Sequence, residues 1–273
     1  MKHAVIALIT DFGLNDVYVG VMKGVIHSID PDARVVDITH SVPRHNVAAA
    51  SYALSASFGF FPEGSVFVVV VDPGVGGERA VLCAKTVGKF FLAPDNGILS
   101  ALLDERGYET LVKVENEDLY IRPVSSTFHG RDIFAPVAAH LAAGFDIDRL
   151  GPVTSEYVRA GIREVDAGPD RIVAGVSWVD GFGNLITNCA ASAVRDVMSA
   201  WAAVAIEGRG EGDRLTDERL TLVTSYDAVP PGALLAIVGS SGFLEISVRE
   251  GSASERLGLK PGDYLELVER EAE

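Results

Sequence analysis

Several short stretches of this chain gather side chains able to do chemistry. The densest is "VVVVDPGVGGERAV", in which an apolar run ends at Asp72, a proline and three glycines make a tight loop, and Arg79 leads into the next apolar run. Ligand sites of open α/β sheets lie beyond the carboxyl ends of strands, which is where Asp72 falls. The loop is no phosphate cradle, because it has no GxxxxGK motif, no GxGxxG opening a helix and no lysine. It reads equally as a turn whose aspartate caps backbone amides and whose arginine pairs with it.

In "STFHGRDIFAPVAAHLAAG", His129 stands just before a helical pattern and beside Gly130, where an imidazole can face a cleft. Histidine is the side chain best matched to moving a proton near neutral pH. His129 and Asp132 would be half a metal site, with no third or fourth ligand in view, so no metal is expected and Asp132 reads as a helix cap. In "VSWVDGFGNLITN", Asp180 and Asn184 bracket Gly181, Phe182 and Gly183. A plain turn accounts for that spacing, yet an amide is also a two-way partner for an adenine edge, with Phe182 available to stack. The glycine-serine turn of "VGSSGFLEISVREGSA" would let backbone approach a ligand closely. Lastly, "ALITDFGLNDVYVGVMKGVI" sets Asp11, Asn15 and Asp16 between an apolar run and a helical pattern. Its Asp-Phe-Gly is not the magnesium site of a protein kinase, since the Gly-rich loop, strand lysine and HRD loop are missing.

The elements that must position these residues follow from periodicity. Val5 to Ile9, Val35 to Ile38, Val66 to Val71 and Val81 to Lys85 read as strands, the third apolar enough to be covered on both faces. Between them Val17, Val21, Val25 and Ile29 form a helical stripe, Asn46 caps a second helix, a third ends at Gly107 and a fourth at Gly144. This alternation predicts an α/β N-terminal domain with a largely parallel sheet over residues 1–150. Residues 151–170 read as a linker. Strand-like runs at Ile172 to Val179, Ala202 to Ile206, Ala233 to Val238, Phe243 to Val248 and Tyr264 to Val268 predict a smaller, mostly β, barrel-like domain over 171–273. The charged, glycine-rich stretch at 207–219 reads as an exposed loop.

Charge and composition exclude whole classes. With 23 Lys plus Arg against 38 Asp plus Glu, the formal charge of -15 would repel a phosphate backbone, so no nucleic acid is expected as partner. The apolar start breaks at Asp11, short of a signal peptide, and no run is long enough to span a membrane. Cys83 and Cys189, the only cysteines, fit core packing in a reducing compartment. A cytoplasmic protein is expected.

Taken together, "TDFGLNDVYVGVMKG", "DITHSVPRHNV", "VVDPGVGGER", "APDNGILS", "STFHGRDIFAPVAAHLA", "DGFGNLITN" and "GSSGFLEISVREGSA" occur in one order that resembles the SAM hydroxide adenosyltransferases, relatives of the fluorinase and chlorinase that attack S-adenosylmethionine (SAM) with halide. The resemblance covers nearly the whole chain. It implies hydrolysis of SAM to adenosine and L-methionine by water at the ribose 5′ carbon, without a cofactor, in a homotrimer whose sites lie between one subunit's N-terminal domain and its neighbour's C-terminal domain. It also implies that Asp11 accepts the two ribose hydroxyls, with Asp16 bracing its loop. Asn184 would read the adenine with Phe182 packed on it, the Arg249 and Glu250 backbone completing the contact, and Asp180 would hold the methionine ammonium beside Ser240. Asp72, Arg79 and His129 match the catalytic triad, in which His129 or Asp72 takes or orients the proton and Arg79 fixes the carboxylate. The halide enzymes carry an arginine where this chain has Ser241. Two other readings keep this fold: a SAM or adenosine sensor with negligible turnover, and a halide-dependent enzyme.

Overall fold

The computed structural model describes residues 4–159, 165–198, 203–209 and 217–270. The chain divides into two compact units, Met1–Gly161 and Ile162–Glu273. No helix among the described residues is long and apolar enough to cross a membrane.

The first unit is a six-stranded sheet with helices on both faces. Its strands are β1 (Val5–Thr10), β2 (Arg34–Thr39), β3 (Val66–Val70), β4 (Val81–Thr86), β5 (Lys89–Pro94) and β6 (Thr110–Lys113), in the order β2-β1-β3-β5-β4-β6. The first four in that order run parallel, whereas β4 is antiparallel to both its neighbours. The sheet is therefore mixed where the sequence led us to expect a largely parallel one. The cause is local: Val87 and Gly88, both at positive φ, turn β4 straight back into β5. A tight hairpin can join only antiparallel strands.

Helices α1 (Tyr18–Ile29), α2 (Val47–Ser57), α3 (Ser100–Arg106) and α4 (Ala135–Ala142) cover the sheet. Asn46 caps α2 by accepting from the Ala49 amide at 2.9 Å, and Gly107 ends α3 at φ 67°. In α1 the buried face is Val19, Met22 and Ile26, while Val17 stands 72% exposed. The valine stripe gave the right periodicity but the wrong centre, because α1 packs Met22 and Ile26 against Ile6, Leu8 and the α4 residues Val137 and Ala138. On the opposite face Phe67 and Phe91 stack at 5.2 Å, fully buried, each worth about 1.5–3 kcal/mol of transfer free energy. Residues 151–159 stay with this unit: the Thr154 amide donates to Leu111 and the Val158 amide to Asp95 Oδ1 at 2.8 Å.

The second unit holds β7 (Asp166–Ala167), β8 (Arg171–Val179), β9 (Leu185–Ala190), α5 (Ala191–Met198), β10 (Ala203–Arg209), β11 (Asp217–Val223), β12 (Leu234–Val238), β13 (Phe243–Val248), α6 (Ala253–Leu257) and β14 (Tyr264–Arg270). The eight strands form one sheet that curls, because β14 pairs with both β10 and the first half of β8 while the second half of β8 pairs with β9. Alternating residues such as Ile172, Ala174, Leu244, Ile246, Leu265 and Leu267 fill the inside of the curl. The ends of the expected loop at 207–219 belong to β10 and β11, and its centre lies outside the described residues.

Candidate active site

In the first unit the chain leaves β1 to form β2 on one side and then crosses to form β3 on the other. This is a topological switch point, and the crevice above it opens at the carboxyl ends of β1 and β3. Thr10 and Val70 are paired across the two strands, so Asp11 and Asp72 emerge side by side at the rim. A cavity of about 270 Å³ lies there, lined by Asp11, Asp72, His129, Phe12, Tyr18 and Phe128 among others.

Asp11 Oδ2 accepts the His45 amide at 2.9 Å, which fixes the carboxylate and leaves Oδ1 for a ligand. His45 holds φ 63°, strain of the kind found where a loop is shaped for a site. Asp16 also lines the cavity but is exposed and makes no hydrogen bond among the described residues, so the expected bracing of its loop is not seen there.

Asp72 and Arg79 form a nearly closed ion pair. The Asp72 side chain is 4% exposed and that of Arg79 12%. Arg79 Nε donates to both carboxylate oxygens at 3.1 and 2.9 Å, and Nη2 donates to Oδ2 as well. The same Nη2 lies 2.7 Å from His129 Nδ1. A guanidinium only donates, so Nδ1 must accept, and the neutral ring carries its proton on Nε2. Burial, and next the charge of Arg79, hold the His129 pKa below its ordinary 6.5, against the opposing pull of Asp72 and Asp132. At neutral pH His129 is thus an uncharged donor through Nε2.

The loops that bring these groups together meet at Gly76. At φ 77°, a Cβ there would stand 2.1 Å from the Ser126 carbonyl oxygen, so only glycine lets the Asp72 loop lie against the His129 loop. From His129 the chain enters a π-helical turn, Gly130–Phe134, before α4. Asp132 does not cap that helix. It is fully buried in the turn, where its carboxylate accepts the Ser125 amide at 2.7 Å and the Arg131 guanidinium, tying down the segment that precedes His129. Phe128 packs edge-on against both Phe12 and Tyr18, which are tilted to each other, with centroids 5.0 to 6.0 Å apart, as an aromatic wall that sequence reasoning missed.

The second unit has its own cavity, about 730 Å³, which brings together Asp180, Phe182, Asn184, Ser240, Arg249 and Glu250. The β8–β9 turn is held by Asp180 itself. Its Oδ1 accepts the amides of Phe182 and Asn184, and its Oδ2 accepts Asn184 Nδ2, all at 2.9 Å. Asn184 keeps its Oδ1 and a second amide proton for a ligand, the acceptor and donor that an adenine edge requires. Phe182 is 82% exposed at the rim. Arg249 turns its guanidinium onto the carbonyls of Asp227 and Val229 at 3.1 and 2.6 Å, and Glu250 holds φ 57° beside it. Tyr226 and Glu245 also line this cavity, and neither stood out in the sequence. Among the described residues no three His, Cys, Asp or Glu side chains are gathered as a metal would need.

Comparison with known proteins agrees with this division. Residues 6–151 match the SAM hydroxide adenosyltransferase N-terminal domain and residues 174–266 the C-terminal domain. The chain is 37% identical to an (R)-S-adenosyl-L-methionine hydrolase from Thermus thermophilus, over 95% of this chain and 98% of the relative. It is 27% identical to a fluorinase from Nocardia brasiliensis, over 97% of each. The crystal structure of an uncharacterized conserved protein from Thermotoga maritima superposes with a TM-score of 0.89 at 38% identity, covering 97% of this chain and all of that one.

Proposed function

This chain belongs to the SAM hydroxide adenosyltransferase family, and on that premise we propose that it hydrolyses SAM to adenosine and L-methionine. Water attacks the ribose 5′ carbon as the carbon–sulfur bond breaks. Methionine departs as a neutral thioether, so the leaving group needs no acid, no metal and no cofactor. Catalysis then reduces to placing the water in line and accepting its proton; positioned base catalysis supplies about 10² to 10⁴ in rate.

The observation that carries this reading is Asp72 in the cavity wall with His129 closed at Nδ1. The His129 Nε2 proton is offered to the water oxygen, turning a lone pair toward C5′, and Asp72 receives the proton that the water loses. Arg79 locks both groups in register. A halide would meet a carboxylate here, and like charges in contact repel strongly in a low dielectric. Asp11 takes the ribose hydroxyls. Asn184 and Phe182 take the adenine with the Arg249 and Glu250 backbone, and Asp180 with Ser240 takes the methionine ammonium.

The groups proposed for the ribose and the water line one cavity and those proposed for the adenine and the ammonium line another, in the other unit, which supports a site shared between subunits of a homotrimer. The two cysteines are buried and free, which supports a cytoplasmic setting. Turnover of SAM in oxygen-18 water should place the label in the 5′ hydroxyl of adenosine. Unlabelled adenosine, or 5′-halo-5′-deoxyadenosine as the main product in physiological salt, would overturn the reading. Asp72→Ala and His129→Ala should each lower kcat at least about tenfold with SAM affinity within a few-fold, as for groups acting in the transition state.

A further inference from the structure

The ammonium of the methionine moiety has three protons to place, and Asp180 cannot take them all. Its Oδ1 already accepts two backbone amides and its Oδ2 one side-chain amide. A carboxylate has about four acceptor positions, so one remains. The same cavity holds a second carboxylate with acceptor capacity to spare. Glu245, on β13, is 6% exposed and makes one side-chain hydrogen bond, from Tyr226 Oη to Oε2 at 2.8 Å, which leaves Oε1 open.

We propose that Glu245, oriented by Tyr226, is a second binding residue for the α-ammonium of SAM and sets the enzyme's selectivity for a cationic amino group. This rests on the SAM reading above. Three observations support it. An ionised carboxylate this buried, with one neutral donor, is costly unless a cation completes it. Arg249, the one guanidinium lining the cavity among the described residues, is turned onto backbone carbonyls and lies 3.6 Å from Glu250, so it does not serve Glu245. Finally, Glu245 Oε1 lies directly against Gly239, where a Cβ would fall 1.6 Å away, so a side chain there would push the end of the carboxylate from its place.

The electrostatics fit a site waiting for a cation. Burial, and the negative charge of Asp180, push the Glu245 carboxyl above its ordinary range, while the Tyr226 hydrogen bond pulls it down. Asp227 and Glu250 add further negative charge to the cavity, and the residues paired with Glu245 on β12 and β9 are the uncharged Ile237 and Ile186. The ammonium keeps its charge through the reaction, so contact with it is uniform binding and belongs in KM rather than kcat.

The test compares SAM with its desamino analogue, which keeps the sulfonium and carboxylate. Glu245→Gln should raise KM for SAM at least about tenfold, the scale of one charge-assisted hydrogen bond, with kcat within about threefold and the desamino analogue unaffected. Tyr226→Phe should move the acid-side rise in KM for SAM to higher pH, because the bond that favours the ionised form is gone, and Glu245→Gln should remove that rise. Gly239→Ala should act like Glu245→Gln and add little to it. Equal loss for SAM and the desamino analogue, or an unchanged KM, would overturn the assignment. If the wild-type protein makes no adenosine, the SAM reading fails, and calorimetric affinities for the same two ligands decide the role of Glu245 independently.

Discussion

Replacing Arg79 tests the candidate active site most directly, because one guanidinium serves two partners. In wild type it donates three times to Asp72 and once to His129. Arg79→Ala leaves Asp72, 4% exposed, without its counter-charge. Removing one member of a buried pair costs about 3–5 kcal/mol. At roughly 2–4 °C per kcal/mol for a chain of this size, that is a fall in Tm on the order of 10 °C. Arg79→Lys keeps the charge, but one ammonium cannot span Asp72 and His129 together, so it should lose about 1.5–3 kcal/mol, the scale of one charged hydrogen bond. Both variants should lose at least about a hundredfold in kcat. His129 reports on the mechanism separately. Burial and the Arg79 charge hold its pKa below 6.5 against the pull of Asp72 and Asp132, so in Arg79→Ala the pKa should rise. Thermal unfolding, steady-state kinetics and an NMR titration of the ring proton measure the three effects. A Tm within about 2 °C of wild type, together with an unmoved His129 titration, would show that the pair and its bond to His129 do not exist as described.

Two further outcomes are expected. Because Nδ1 must stay unprotonated to accept from Arg79, kcat should hold as pH falls through 6.5 and drop only at the lowered His129 pKa; His129→Gln, which retains an N–H donor, should exceed His129→Ala by about tenfold in kcat, and equal rates would remove the donor role. For assembly, inactive Asp11→Ala and Asn184→Ala proteins mixed after reversible dissociation should recover part of the wild-type rate, and no recovery despite measured subunit exchange would place both residues in a site within one chain.

What was legible in the sequence is what repeats at short range. The uniformly apolar Val66 to Val71 run, the Asn46 cap and the glycine stops at 107 and 144 each act within a few residues, and each sits where periodicity placed it. Long-range pairing was not legible: β5 and β6 carry too weak a strand signal to reveal that the sheet turns antiparallel. The site divides the same way. Asp72 and Arg79 are seven residues apart across a glycine loop and could be read as partners, whereas the link to His129 spans fifty residues and needs Gly76 against Ser126. Glu245 was hidden by its own pattern. It alternates with Leu244 and Ile246 of the core, so it reads as a solvent-facing strand residue, whereas in the structure it is buried and accepts from Tyr226, brought over from a separate turn.

The pairing of Thr10 with Val70 has an evolutionary side. Because the two carboxylates emerge from neighbouring strands on separate loops, the part of the crevice we propose for the sugar and the part we propose for the attacking water can mutate independently. On the reading proposed above, rebuilding the Asp72–Arg79 loop together with the His129 loop packed against it would trade one nucleophile for another and leave the Asp11 grip on the sugar untouched.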